Sequence, residues 1–495
     1  MPVPPWRAAT LPAALALALM PGDARTQPTE DAATQPAPPL TATQAAAANM
    51  AASSPGYRSE PVPSGEKSFW IPAAEVVTFD VLLSAFNRAT SGSDDYDVSW
   101  ETIKNNLEGP WVVDNDPFEV NQFAHPYQGS LYHGAGRSMG LGYWESSALT
   151  FLGSAWWEIT GEATPPARND QIASGIAGSF LGEPLFRMAH LVGDHSSLSP
   201  AWRSWLAAAI SPPVGVNRWL FGPRRYGAVF DDHDPAYYGR WHLGAMHATQ
   251  ADFAPSEDVA RDTAQLDYRI DYGLPGKPGY TYNRPFDYFD FEIALSSKNG
   301  MEVLATNGLL LGDHFGAGRS FRAVAGLYGG YEYLAPQLYH VSDTSVSLGA
   351  NAQWWLGRDV AVQASLLGGA AYAAVSSTVR DVDSSEYHYG TAPRIAATMR
   401  LVDGDRAALD VSGRYLALGR IAQKNAGRDS VSRLEAALTW RLVGHHAIGV
   451  QYAWSHRSAT YNSGAERKQT FGQIGIFYTL LGQQDFGAVE WRPDD

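Results

Sequence analysis

The 495-residue chain has no cysteine, which excludes disulfides, thiolate metal sites and a lipid-modified N-terminal cysteine. Charge is sparse as well: only 18% of residues are Asp, Glu, Lys or Arg, and they sum to a formal −15. No clustered basic stripe is present, so a nucleic-acid partner is not expected. Beyond its N-terminus the chain also lacks the roughly eighteen uninterrupted apolar residues that a membrane-spanning helix needs. Embedding in a bilayer would then have to use strands, because only helices and closed barrels satisfy every backbone polar group in lipid.

Glycine and ring-bearing residues are plentiful instead, with 48 Gly, 24 Tyr and 16 Trp. Small and polar groups suit a barrel lumen, and aromatic and apolar groups suit its lipid face. At the N-terminus Arg7 precedes the apolar stretch from Ala8 to Met20, and Pro21, Gly22 and Ala24 close it, the pattern of an export signal over 1–24. Residues 25–65 are mostly Ala, Thr, Pro and Gln, with too little to bury to offset the entropy of ordering, and read as a disordered linker. A helical domain rich in Trp and Gly is expected over 66–235, a barrel over 236–482 and a tail over 483–495.

The barrel rests on a period of two. Leu266, Tyr268, Ile270 and Tyr272 alternate with Gln265, Asp267, Arg269 and Asp271; Val346, Leu348 and Trp354 alternate with Ser345, Ser347 and Gln353; Leu434, Leu438, Trp440 and Leu442 alternate with Arg433, Glu435, Thr439 and Arg441. Weaker versions near 241–249, 286–296, 301–312, 319–333, 358–375, 392–402, 405–418, 445–458 and 468–481 bring the expectation to about twelve antiparallel strands. Tyr331 and Tyr333, Trp354 and Trp355, and Tyr452 and Trp454 fall toward segment ends, where interfacial aromatic girdles would sit. A water-soluble β-sandwich also alternates, but the export signal, the strand number and the last strand favour a mainly β, transmembrane barrel of the bacterial outer membrane. That last strand, with Gln473, Gly475, Tyr478 and Leu480, resembles the recognition signal of barrels assembled there. Outer-membrane lipids and the barrel assembly machinery are the partners this implies; any small-molecule ligand is unknown.

Between Asn115 and Arg187 the motifs are dense: Asn115-Asp116-Pro117-Phe118, Asn121-Gln122-Phe123-Ala124-His125-Pro126-Tyr127-Gln128-Gly129-Ser130, Gly136-Arg137-Ser138, Trp144-Glu145-Ser146, Trp156-Trp157-Glu158, Glu162, Asn169-Asp170 and Gly182-Glu183-Pro184-Leu185-Phe186-Arg187. This block, with the barrel after it, resembles an uncharacterised bacterial family of outer-membrane proteins known only as a domain of unknown function, DUF3943. The resemblance implies an envelope location and supports the fold; it supplies no activity, cofactor or catalytic residue.

The residues therefore speak for themselves. Ser174, Gly178 and Gly182 recur four apart and permit close helix approach. The helices are expected to fill the lumen or cap the periplasmic mouth as a plug, with an interfacial layer as the alternative. Glu158 and Glu162, one turn apart, read as a buried acid pair or metal ligands near His125, His133, His190 and His195, or else Glu158 reads as an acid that holds its helix to lumen arginines; Glu183 and Arg187 read as an ordinary helical ion pair. No spacing matches a known metal site, and no cofactor is implied. Asn121, His125, Pro126, Tyr127, Gly129, Arg137, Ser138, Glu145, Glu158, Glu162, Asn169, Asp170, Glu183 and Arg187 make up the candidate binding or structural set.

Two catalytic patterns occur. Gly136-Arg137-Ser138-Met139-Gly140 matches Gly-x-Ser-x-Gly literally, without the strand, turn and helix that a nucleophile elbow requires. His456 and Ser458 share the expected outer face of one strand, which permits a lipid acyl-ester hydrolase although no acid partner can be assigned. The function expected is binding, transport or envelope maintenance without assigned catalysis; the hydrolase is the alternative.

Overall fold

The computed structural model describes residues 67–114, 116–195, 198–222, 234–252, 259–377, 388–419, 427–461, 464, 466–483 and 485–492. The export signal and the whole linker region, 25–65, lie outside the described residues.

Twelve antiparallel strands form a closed barrel in simple sequential order, with the last pairing to the first. They are β1 (Tyr237–Asp252), β2 (Asp262–Tyr272), β3 (Phe289–Ser296), β4 (Gly300–Ala317), β5 (Phe321–Leu334), β6 (Tyr339–Trp355), β7 (Val360–Ser377), β8 (His388–Asp403), β9 (Ala407–Leu418), β10 (Arg428–Val443), β11 (His446–Thr460) and β12 (Glu466–Leu481). Each expected segment has its strand. Closure leaves no unpaired edge, which is the condition for strands to cross lipid.

The alternation decides which way each side chain points. In β10, Asp429, Val431, Arg433, Glu435, Ala437 and Thr439 turn into the lumen and are buried, while Leu434, Leu438 and Trp440 turn outward and are exposed. Charges directed inward pair across the lumen. Arg269 on β2 reaches Glu292 on β3 at 2.6 Å and Glu435 on β10 at 3.5 Å. Arg414 on β9 bridges Glu292 at 2.8 Å and Glu332 on β5 at 3.3 Å. Arg394 on β8 meets Asp343 on β6 at 3.2 Å, and Arg400 joins Asp271 to Asp410, each at 2.8 Å, with Arg240 on the other side of Asp410. Two cavities lined by this lattice measure about 10 and 50 Å³, room for a few waters.

The mouth at which the chain enters β1 and leaves β12 is closed by two further segments. The connection from β2 to β3 sends Tyr288 into the lumen, where Asn351 donates to its hydroxyl at 2.6 Å, and packs Tyr280 and Tyr282 in the same cluster with Leu309, Tyr328 and Leu367. The C-terminal tail folds back into the mouth: Gln353 and Gln363 donate to the carbonyls of Val489 and Gly487, both at 2.7 Å. Trp491 Nε1 then donates to Arg319 O in the β4–β5 turn, and Arg492 to Gly357 O and Arg358 O in the β6–β7 turn. The tail and this connection occupy the place expected for the helices.

The helices are α1 (Trp70–Thr90), α2 (Trp100–Glu108), α3 (His125–Ser138), α4 (Tyr143–Thr160), α5 (Arg168–Ile172), α6 (Gly178–His195), α7 (Pro200–Ile210) and α8 (Pro212–Phe221), with single π-helical turns at Val120–Ala124 and Ala173–Ala177. Local chemistry starts several of them. Ser99 accepts from Thr102 N and Thr102 accepts back from Ser99 N at the head of α2, and proline opens α7 and α8. Gly129 of α3 lies against Gly178 of α6 so closely that a Cβ on Gly129 would sit 1.9 Å from Ser174 O, and a Cβ on Gly182 would sit 2.7 Å from His133 Cβ. The small residues spaced by four do allow close helix approach.

The bundle does not enter the lumen; it packs on the outer wall. Asp290 and Glu292 point inward, so Phe289, Phe291 and Ile293 point outward, yet all three are buried in one cluster with Phe180, Leu181, Leu185 and Phe186 of α6. Gly329 on the outer face of β5 makes the space: a Cβ there would lie 2.6 Å from the Phe180 ring. Tyr331 and Tyr333, expected in a lipid-facing girdle, are instead covered by this domain, Tyr331 donating to Gln122 O at 2.6 Å and Tyr333 meeting Phe118 and Phe123. Trp354 and Tyr452 do face outward and remain exposed. The lumen is already filled by its own side chains, which is the physical reason that no plug fits.

Candidate functional site

Two buried polar centres of the helical domain hold most of the charged candidate residues, and they are neutralised differently. The first is built on Glu183 of α6. Its carboxylate receives Arg137 of α3 at 2.8 Å, His133 of α3 at 3.0 Å and Arg187, one turn on, at 2.9 Å. Arg187 extends to the barrel, with Nη1 3.1 Å from Asp287 and Nη2 donating to Pro285 O at 2.7 Å. Burial alone would push the Glu183 carboxyl up, but Arg137, His133 and Arg187 outweigh it and hold the group below the ordinary range. Glu183 and Arg187 do form the helical ion pair that their spacing suggests, but it is fully buried and part of a junction between bundle and barrel.

The second centre collects carboxylates without such cations. His125 opens α3 directly after the first π turn, Asp170 lies in α5 just before the second, and Glu158 lies in the last turn of α4. Ligand-type atoms of these three residues all lie within 4.8 Å of one another. His125 Nδ1 is 3.0 Å from Ser174 Oγ, and its Nε2 is 4.0 Å from Asp170 Oδ2. Glu158 Oε2 accepts Ala167 N–H at 2.8 Å, while its other oxygen is buried with no partner. The lumen arginines expected to hold Glu158 are not there, because the domain sits outside the barrel.

Neighbours add charge of the same sign. Asp114 Oδ1 accepts from Asn121 at 2.6 Å and Asn169 at 3.4 Å, and Asn169 also donates to Asp170 at 2.9 Å. Tyr389 of β8 ties the group to the barrel through Asn121 and Asn169, each at 3.0 Å. Glu162 accepts from the Trp157 indole at 2.9 Å and lies past the end of α4 rather than on its face. Burial, reinforced by Glu162, pushes the Glu158 carboxyl well above its usual range; burial, reinforced by Asp114, does the same to Asp170. Burial raises Glu162 to about 7 and pulls His125 down to about 4.

The remaining candidates are structural. Pro126 sits in the first turn of α3, Tyr127 O accepts from Ser130, and Gly129 makes the α3–α6 contact described above. Glu145 is exposed, accepting from Gly142 N at the start of α4 and pairing with Lys67. Ser138 ends a helix, where Asn217 donates to it at 2.6 Å, so Gly136 to Gly140 form no nucleophile elbow. His190 meets Phe186 edge to face; the side chain of His195 lies outside the described residues.

His456 and Ser458 do face outward together, paired with Ser432 and Ser430 of β10. His456 Nδ1 engages Thr470 Oγ1 at 2.8 Å and its ring stacks on Trp454. No hydrogen bond joins it to Ser458 or to a carboxylate among the described residues, so nothing in the arrangement favours the hydrolase.

Residues 110–213 match the model of a domain of unknown function, DUF3943, a span that holds both polar centres but not the barrel. No curated protein matches the chain. Among solved structures, an outer membrane channel from Pseudomonas putida F1 is 13% identical, with coverage of 50% of this chain and 96% of that one and a TM-score of 0.27. The outer membrane channel DcaP of Acinetobacter baumannii is 10% identical over 50% and 97%, with a TM-score of 0.23. The NanC porin is 8% identical over 48% and 98%, with a TM-score of 0.24. The architecture itself rests on the strand pairing.

Proposed function

We propose that the protein is an outer-membrane component whose barrel is a closed anchor and whose helical domain, held on the barrel's outer wall among lipids, carries a binding or envelope-maintenance role. The observation that carries this reading is the lumen: ion pairs cross it, and the C-terminal tail and the β2–β3 connection close one mouth. A filled lumen suits an anchor better than an open diffusion pore.

Lipid as the partner is supported by apolar side chains exposed on both barrel and bundle. The barrel exposes Leu348, Leu366 and Leu438, and the adjoining bundle exposes Trp70, Trp100 and Trp205. No described helix is long and apolar enough to cross a membrane. Indole rings prefer the headgroup level, where one edge stays wet.

Reconstitution into planar bilayers tests the reading, with heat-modifiable gel migration confirming a folded barrel. Folded protein is expected to give no steady conductance. A stable ohmic current per inserted molecule would overturn it.

A further inference from the structure

We propose that His125, Glu158 and Asp170 bind one divalent transition-metal ion of the Zn2+ class inside the helical domain. The inference rests on the bundle alone and does not depend on where the barrel resides.

The three ligand atoms already converge to within 4.8 Å. Around a tetrahedral ion with bonds of about 2.0–2.2 Å, ligand atoms stand roughly 3.3–3.6 Å apart, so side-chain shifts of up to about an ångström complete the site. The hydrogen bonds orient the lone pairs. With His125 Nδ1–H donated to Ser174 Oγ, Nε2 is left as an acceptor facing the Asp170 carboxylate at 4.0 Å. Two acceptors so placed attract each other only through a proton or a cation between them.

Unpartnered groups point the same way. Glu158 Oε1 and Asn121 Oδ1 are buried, on residues 1% and 0% exposed, and neither has a hydrogen-bond partner. A buried polar atom left in this state costs about 1–3 kcal/mol, more when charged. No lysine or arginine among the described residues pairs with Glu158, Asp170, Asp114 or Asp116, whereas the same fold surrounds Glu183 with Arg137, Arg187 and His133. The contrast places the missing positive charge on a bound ion.

Each ligand is also held from behind, as metal ligands usually are. Ser174 holds the imidazole, Ala167 N–H the far oxygen of Glu158, and Asn169 the Oδ1 of Asp170. Imidazole in the set disfavours Ca2+ and Mg2+, which take oxygen donors, and favours Zn2+ and its neighbours.

The test uses untagged, full-length protein folded in detergent, stripped with a chelator and titrated with Zn2+ against a chromogenic competitor. One Zn2+ per chain is expected, undisplaced by excess Ca2+. Asp170→Asn and Glu158→Gln remove ligands, and Ser174→Ala removes only the imidazole's support. Each is expected to weaken Zn2+ binding by at least about tenfold while circular dichroism and heat-modifiable migration are kept. Stripped wild-type protein that takes up no Zn2+ would overturn the proposal and leave protons holding the acids. So would folded Ser174→Ala and Asp170→Asn proteins that bind as wild type does. If the ligand variants fail to fold, the wild-type stoichiometry and Ser174→Ala decide.

Discussion

Replacing Arg187 by alanine should release the helical bundle from the barrel without unfolding the barrel. Arg187 is fully buried and serves both bodies: its Nε pairs with Glu183 at 2.9 Å within α6, and its Nη atoms reach Asp287 and Pro285 O on the β2–β3 connection. Alanine leaves Asp287 facing the bundle without this counter-charge and empties the space over the Tyr272 ring, which the guanidinium overlies at 5.8 Å. Breaking a buried pair on one side costs about 3–5 kcal/mol. At about 1.4 kcal/mol per decade this amounts to roughly two to three and a half decades in the opening equilibrium. Hydrogen exchange followed by mass spectrometry reads that equilibrium segment by segment. Amides of α6 should exchange at least about a hundredfold faster, while those of β10 to β12 keep their wild-type rates. An α6 that speeds by less than tenfold would refute the assignment of Arg187 as the junction. Equal acceleration in β10 to β12 would refute the separability of bundle and barrel.

Gly329→Leu should loosen the same junction by overpacking, at a cost of about 1–3 kcal/mol, since even a Cβ would lie 2.6 Å from Phe180; the added mutation Phe180→Ala should restore part of the α6 protection. In the lumen, Arg394→Ala leaves Asp343 and Glu332 without one of their buried cations. The temperature at which the heat-modifiable band converts should fall, by the equivalent of about 3–5 kcal/mol. For pH, the Glu183 carboxyl titrates below its unfolded value, so its contribution is present above about pH 4.3 and is lost as pH falls toward the folded value. Bundle stability measured from pH 6 down to 2 should therefore decline less steeply in Glu183→Gln than in wild type; a parallel decline would count against the ion cluster.

The barrel was legible in the sequence because alternation is a local property. Arg433 and Leu434 must point to opposite sides whatever surrounds them, and the period of two persists through twelve segments. Alternation does not say what lies outside. Phe289, Phe291, Tyr331 and Tyr333 have the chemistry that a lipid face requires, and the same chemistry serves a protein contact. That equivalence hid the docking of the bundle and suggested a plug. The candidate centres were half legible. Glu158, Asp170 and His125 stood out as residues, but their meeting depends on Gly129 approaching Gly178 and on two π-helical turns, none of which a spacing rule encodes. Glu183 and Arg187 showed their spacing, not their burial, because the cations that share the carboxylate come from another helix.

The C-terminal tail also bears on the order in which the molecule is made. Its first residues leave β12 beside β1, yet Trp491 and Arg492 are held by the β4–β5 and β6–β7 turns across the mouth. Those acceptors come within reach only after the sheet has curled and β12 has found β1. The tail is thus a latch that cannot engage early, because its acceptors on the two turns come together only in the closed sheet. Its docking marks a finished barrel in a way that no single strand pairing does.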